Sequence, residues 1–357
     1  MTLSPFERAA IGLLCAALIA AACFWVRRSR ERFRALVTGA FALTLVLVVL
    51  GAYVRLSDAG LGCPDWPGCY GDLTPHHAAE QIRAEEHLRP QGPVSLAKAW
   101  KEMTHRYVAM VVGSLIAAIA ILAWSNRRRF ASSPGLATSL AGLVVFQALL
   151  GAWTVTMLLK PAIVTSHLLG GMAIMALLAW LRLKQEPGGA GGIIAPTGLR
   201  AFAAIALVVL VAQVALGGWV STNYAALACP DFPACRGEWM PPMEFRDAFH
   251  VRRELGMSAE GRFLPMEALT AIHWTHRLGA AVVAVVLAGL GAWLARTPGA
   301  ARLGVVLLAL LALQLALGVS NVLGSLPLAV AVAHNGVAAL LVAWMVQVNF
   351  RLNRGLH

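Results

Sequence analysis

Long apolar runs broken by short polar segments set the rhythm of this 357-residue chain. A hydrocarbon core about 30 Å thick is crossed by roughly 20 apolar residues wound as a helix. On that ruler the pattern predicts nine spans, at about 7–26, 34–56, 103–124, 137–158, 162–182, 201–221, 269–294, 302–323 and 327–348. Open-edged strands are excluded in lipid, where every backbone polar group needs a partner within its own segment. The expected class is an all-α polytopic membrane protein. Two polar stretches are long, about 57–101 and 222–268, and they hold most of the acidic residues and four of the six cysteines. The breaks around Lys160 and Pro161 and at 324–327 are short enough to be the turns of helical hairpins.

Composition agrees with the pattern: hydrophobic residues make up 59% and charged residues 13% of the chain, with a mean hydropathy of +0.71. The net charge of +12 invites a nucleic-acid reading, and its placement removes it. Arg27, Arg28, Arg30, Arg32 and Arg34 lie between spans 1 and 2, and Arg127, Arg128 and Arg129 between spans 3 and 4. Arg182, Lys184 and Arg200 separate spans 5 and 6, Arg296 and Arg302 spans 7 and 8, and Arg351 and Arg354 follow span 9. All these segments fall on one side of a nine-span chain, which the positive-inside rule makes the cytoplasm. The N-terminus is then outside, the C-terminus inside, and both long loops face outward. The first residues lack the Arg- and Ser-rich amphipathic pattern of a transit peptide, so a bacterial plasma membrane is the expected address and the lipid bilayer the expected surroundings.

The chain repeats itself. Residues 51–69, GAYVRLSDAGLGCPDWPGC, return as residues 217–235, GGWVSTNYAALACPDFPAC. His105 is followed by Arg106, and His276 by Arg277; His167 and His334 complete the correspondence, each near the start of an apolar run. Spans 2–5 and 6–9 therefore form two equivalent four-helix halves, residues 34–185 and 201–357, joined by a cytoplasmic linker at 186–200. Four spans separate equivalent helices, so the halves share one orientation and a pseudo-two-fold axis along the membrane normal is expected. Residues 1–33, an extra transmembrane helix and a basic loop, have no counterpart. A weaker echo lies within the halves: Gln147, Gln213 and Gln314 each precede a glycine (Gly151, Gly217, Gly318) by four residues. Small residues at those points let helices, or a flat ring, approach closely.

Four histidines at repeat-equivalent positions are the chemical centre of the sequence. Ionisable groups inside spans are costly and mark function. Imidazole suits zinc, copper or heme iron; zinc would call for further close ligands and copper often for sulfur, and neither neighbours these histidines. One axial imidazole from each of two facing helices, around an apolar slot, is what heme needs. Glu102 and His273 occupy the same repeat position, three residues before His105 and His276, on the face those histidines share. Glu102 can equally be a carboxylate favoured by its helix N-terminus. Arg106 and Arg277 are natural partners for heme propionates or snorkelling interfacial residues. Cys63/Cys69 and Cys229/Cys235 sit in an oxidising compartment and are either local clips or redox pairs that exchange with a thiol partner. Cys15 and Cys23 read as apolar fillers, and His76, His77, His87 and His250 have no repeat partners.

Taken together, the Glu-x-x-His-Arg element at 102–106, His167, the His-Arg pair at 276–277, His334 and the outer-loop cysteine pair resemble the heme A synthase family, over about residues 36–350. The extra first span departs from the eight-helix pattern of that family, and a second cysteine pair is not universal in it. The resemblance implies oxidation of the C8 methyl of heme O to a formyl group, by successive hydroxylation and loss of water, giving heme A for terminal oxidases. It implies that His105 and His167 bind the substrate heme, with Glu102 at the reacting methyl. His276 and His334 would then hold a resident heme b that relays electrons. Heme O and heme A are the expected substrate and product. Heme O synthase, oxidase assembly proteins, an electron donor and a second copy of the chain are the expected partners. The rival class is a diheme b-type electron carrier without chemistry on the ring. A parallel-repeat transporter would place its polar positions at mid-membrane rather than at the outer ends.

Overall fold

The computed structural model describes residues 3–128, 134–186 and 192–354; Arg129 and residues 187–191 of the expected linker lie outside these. Eleven α-helices follow in order: α1 Pro5–Val26, α2 Arg30–Leu56, α3 Ala79–Leu88, α4 Leu96–Ser125, α5 Pro134–Thr156, α6 Pro161–Lys184, α7 Thr197–Thr222, α8 Phe245–Ala248, α9 Met266–Arg296, α10 Ala301–Leu323 and α11 Leu328–Arg354. Among the described residues nine of them, all but α3 and α8, are long and apolar enough to cross a membrane. The protein is an all-helical polytopic membrane protein, with span positions within a few residues of those the apolar pattern predicts. The two short helices lie in the long loops, where the twenty-residue ruler is blind.

Local chemistry sets the helix ends. Ser4, Ser29 and Ser95 cap α1, α2 and α4 by accepting the amides of Glu7, Arg32 and Lys98. Pro134 and Pro161 open α5 and α6, where a missing N–H costs nothing. The hairpin turns after α5 and α10 are built alike. Leu158 and Leu159, and then Ser325 and Leu326, take left-handed backbone, and the second of each pair donates back five residues, Leu159 N to Thr154 O (2.9 Å) and Leu326 N to Asn321 O (2.7 Å).

The chain divides into two compact units, residues 3–159 with 170–186, and residues 160–169 with 192–354. In the first, Phe33, Val37 and Ala40 of α2 pack with Ile116 and Ile119 of α4, Leu140 of α5 and Leu178 of α6. Helix α1, the span outside the repeat, lies on α2 and α4. Its start reaches the first long loop: Leu3 is buried against Gly68, and Glu7 Oε1 accepts the amide of Leu73 (3.1 Å).

In the second unit α7, α9, α10 and α11 pack in a closed circuit of neighbours. Gly304 of α10 meets Gly291 of α9 so closely that a Cβ there would lie 2.5 Å from Ala295 N. Asn349 Nδ2 on α11 donates to Ala203 O on α7 (3.1 Å). The first turns of α6, which carry His167, group with this unit rather than the first.

Candidate functional site

Each long loop carries the same small device. Cys63–Cys69 and Cys229–Cys235 are disulfide-bonded, and the proline of each Pro-Asp-aromatic-Pro stretch follows a cis peptide (Trp66-Pro67, Phe232-Pro233). The aspartate inside each ring accepts two amides just beyond it. Asp65 takes those of Tyr70 and Gly71, both at 2.7 Å; Asp231 takes those of Arg236 (2.5 Å) and Gly237 (2.7 Å). These four residues have positive φ, and the cysteine before them pairs with the residue after them, Cys69 with Asp72 and Cys235 with Glu238. That is the geometry of a two-residue turn, whose second position favours glycine. In the second loop the Gly237 amide is the main cause that holds the Asp231 carboxyl below the usual aspartate range.

Arg106 and Arg277 grip these rings from the helices below. Arg106 Nη1 donates to Asp65 O (2.8 Å) and Gly68 O (2.5 Å), while its Nη2 pairs with Glu102 Oε1. Arg277 Nη1 donates to Ala234 O and Nη2 to Cys229 O, both at 2.8 Å, and its Nε to His273 Nε2 (3.2 Å). Glu102 Oε2 in turn accepts the Cys63 amide (3.0 Å); the Cys229 amide lies 3.4 Å from His273 Nδ1, and because a neutral imidazole has one acceptor nitrogen, the ring takes either this amide or Arg277 Nε at one time. Glu102 and His273 are both buried. The repeat pair thus does one structural job with two chemistries: a carboxylate ties the first loop to its arginine, an imidazole the second. Sharing a helix face with a histidine did not give Glu102 the same partner as His105; Glu102 turns to the loop and His105 to α2.

Each of three histidine rings rests on a glycine of the preceding span. A Cβ at Gly51 would lie 3.0 Å from His105 Cε1, at Gly217 3.1 Å from His276 Cε1, and at Gly318 3.2 Å from His334 Cε1. Any larger residue pushes the ring off its seat. The glutamine one turn earlier adds a polar contact: Gln213 Nε2 is 3.0 Å from His276 Nδ1 and donates to His276 O (2.9 Å), and Gln314 Nε2 is 3.2 Å from His334 Nε2. In α2 that position is Leu47. His276 and His334 lie within electrostatic reach of each other, and His334 Nδ1 is buried without a hydrogen-bond partner among the described residues. His167 stands seven residues into α6, half-buried. Among the described residues no group of three or more His, Cys, Asp or Glu could hold a bare metal ion.

The second loop also has a knot that no repeat announces. Arg253, buried, donates Nε to Asp247 O (3.0 Å) and Nη2 to Asn223 Oδ1 (2.5 Å), and Trp219 Nε1 donates to Ala248 O (2.8 Å). Burial pushes the Arg253 pKa down. An arginine beside Arg252 and Glu254 in a polar stretch reads as solvated, so sequence gave no cue to it.

Residues 34–346 match the model of a family described as cytochrome oxidase assembly protein. A heme A synthase of Shewanella oneidensis is 42% identical over 87% of this chain and 93% of its own length. Heme A synthases of Methylobacterium radiotolerans (30% identical; 88% of each chain) and Nitrosospira multiformis (29%; 88% of this chain, 91% of the relative) align over most of it as well. The chain belongs to this family of cytochrome oxidase assembly proteins.

Proposed function

We propose that this membrane protein is a heme A synthase, an oxidoreductase that converts the C8 methyl of heme O to the formyl group of heme A. The observation that carries the reading is the duplicated histidine-on-glycine seat, in a chain 42% identical over 87% of its length to a heme A synthase. Heme O, as substrate, and heme A, as product, suit an all-helical body with nine apolar spans. The bacterial plasma membrane is its site, with the disulfide loops on the outer face.

The two histidine sets divide the work. By repeat equivalence His105 and His167 belong to the half at 34–185 and hold the substrate heme. His276 and His334 belong to the half at 201–357 and hold a resident heme b. The second set fits such a group: both imidazoles sit on glycine cradles, near one another, with a buried ring nitrogen unpartnered on His334. A bound heme b would supply one-electron transfer there. Glu102 is the carboxylate of the first set, able to accept a proton or to stabilise positive charge as the methyl is oxidised. His273, its counterpart, has no such negative charge to offer. Arg106 is committed to Glu102 and loop carbonyls and Arg277 to loop carbonyls, so their part is to hold the loops over the sites, with propionate pairing secondary. Heme O synthase, oxidase assembly proteins, a thiol–disulfide partner for the cysteine pairs and a second copy of the chain are partners consistent with this place.

The test is conversion. Expressed in cells that accumulate heme O, the protein should yield extractable heme A or the hydroxylated intermediate. Recovery of heme b alone, with heme O unchanged, would make it a diheme electron carrier instead.

A further inference from the structure

We propose that Lys101 binds a carboxylate of the substrate tetrapyrrole, so that the propionates of heme O are read by a cation that the second half lacks at the same place. This rests on the reading of His105 as a ligand of the substrate heme. Lys101 precedes His105 by four residues on α4. The two share a helix face and lie about 6 Å apart along the axis, with Lys101 nearer the first long loop. Both side chains turn to α2: His105 rests on Gly51, and the Lys101 ammonium stands 4.9 Å from the centre of the Tyr53 ring. Among the described residues that ammonium makes no hydrogen bond and no ion pair. A contact with an aromatic face leaves it N–H donors to give to an anion.

The second half shows how a cation in this place is built when its work is structural. Trp219 takes the repeat position of Tyr53 and also carries a cation, Arg253, at 5.6 Å. Arg253 comes from the loop, is buried, and is tied to Asp247 O and Asn223 Oδ1. The helix position equivalent to Lys101 is Ile272, buried in the apolar cluster around Trp219. Both halves thus keep a cation on the aromatic ring, but only in the first does it come from the histidine's own helix with donors to spare. Arg55 adds a second positive charge on the first side alone, where the second half has Ser221. It follows Gly51 by four residues, on the face of α2 that seats His105, and its guanidinium lies 3.8 Å from the carboxylate of Asp58. A heme brings two carboxylates, and a carboxylate taken out of water needs a partner. Arg106 is already spent on Glu102 and loop carbonyls. Lysine suits a ligand that must come and go: a compact ammonium on a flexible stem can leave the ring for the carboxylate and return when the product departs.

The test removes the contact from each side in turn. Heme O and its dimethyl ester, whose propionates carry no charge, are titrated into the full-length protein in detergent. The protein is purified with its heme b from cells that make no heme O, and binding is followed by the Soret difference spectrum. Wild type should bind heme O roughly 10-fold or more tightly than the ester, the worth of a hydrogen bond to a charged group. Lys101→Met should lose roughly 10-fold in affinity for heme O while binding the ester as wild type does, and Lys101→Arg should restore the preference. In turnover Lys101→Met should raise KM and leave kcat unchanged. If wild type binds heme O and the ester alike, no cation reads the carboxylates and the proposal fails, whatever the variants do. If Lys101→Met weakens both ligands equally, the side chain only supports the fold and the proposal fails again. His105→Ala separates these results from the reading beneath them. If it keeps wild-type affinity and spectrum for heme O, the substrate-site assignment is wrong and the inference falls with it. If it loses heme O while Lys101→Met matches wild type, only the role of Lys101 is refuted.

Discussion

The first and second disulfide loops are made from the same parts and finished differently. Both close a ring with a disulfide, turn through two positive-φ residues and accept an arginine from the helix below. Beneath the first the arginine meets a buried carboxylate, Glu102; beneath the second it meets a neutral donor–acceptor, His273. The first loop is also covered, by Leu3 and Glu7 of the helix outside the repeat. The tip of the second is open, with Trp239 and Met240 73% and 74% exposed. Duplication kept the clamp and changed what the clamp holds. A buried carboxylate is costly unless paired, so its presence in one copy only, under the better-covered loop, supports the proposal that this copy does the proton chemistry.

The sharpest way to break this contrast is to neutralise its charged member. Glu102→Gln should lower conversion of heme O by about 10²–10⁴-fold, the usual worth of a positioned acid or base, with heme b content unchanged. His273→Gln should keep conversion within a few-fold of wild type. Equal losses in the two would mean that the pair is only a loop anchor.

Stability should separate the copies next. Arg106→Leu leaves Glu102 buried and unpaired and should destabilise by about 3–5 kcal/mol. Arg277→Leu leaves only neutral groups unsatisfied, about 1–3 kcal/mol. Thermal unfolding in detergent reads both, and a larger loss for Arg277→Leu would contradict the charge assignment. Cys63→Ser with Cys69→Ser and Cys229→Ser with Cys235→Ser should each cost about 2 kcal/mol by loop entropy. Only the first pair should also slow conversion, because the Cys63 amide is a ligand of Glu102.

The smallest effect concerns acid. Asp231 has a lowered pKa, so its contribution is complete above the ordinary aspartate value of 3.8 and is lost as pH falls through the lowered one. Reduction of Cys229–Cys235 by a phosphine should therefore stay slow down to about pH 3.8 and quicken only below it. Asp231→Asn should show the quicker reduction already at neutral pH.

The spans, the repeat and the histidine positions were legible because a bilayer imposes length and polarity rules that one sequence obeys visibly. The glycine seats could be suspected from Gly217 and Gly318 but not assigned, since glycine in a span equally serves helix packing. Glu102 could be placed on the face of His105 by periodicity, yet its partner is an amide 39 residues earlier, and no local rule reaches across a loop. Arg106 and Arg277 looked like anion binders because a guanidinium fork fits carboxylates. In the fold Arg106 does pair with a carboxylate, that of Glu102, and both arginines turn their remaining donors to loop carbonyls, brought there by the turn after each disulfide. The Arg253 knot and the contact of Leu3 with Gly68 lack repeat partners, and repetition was the only guide to the loops.

The central claim, that two equivalent histidine sets serve two different hemes, is tested most directly by the pigments that copurify with single ligand variants. Hemes extracted from wild type, His167→Ala and His334→Ala should differ by set. His334→Ala should lack heme b, and His167→Ala should keep heme b while losing heme O and heme A. Loss of the same pigment from both variants would contradict the division of labour.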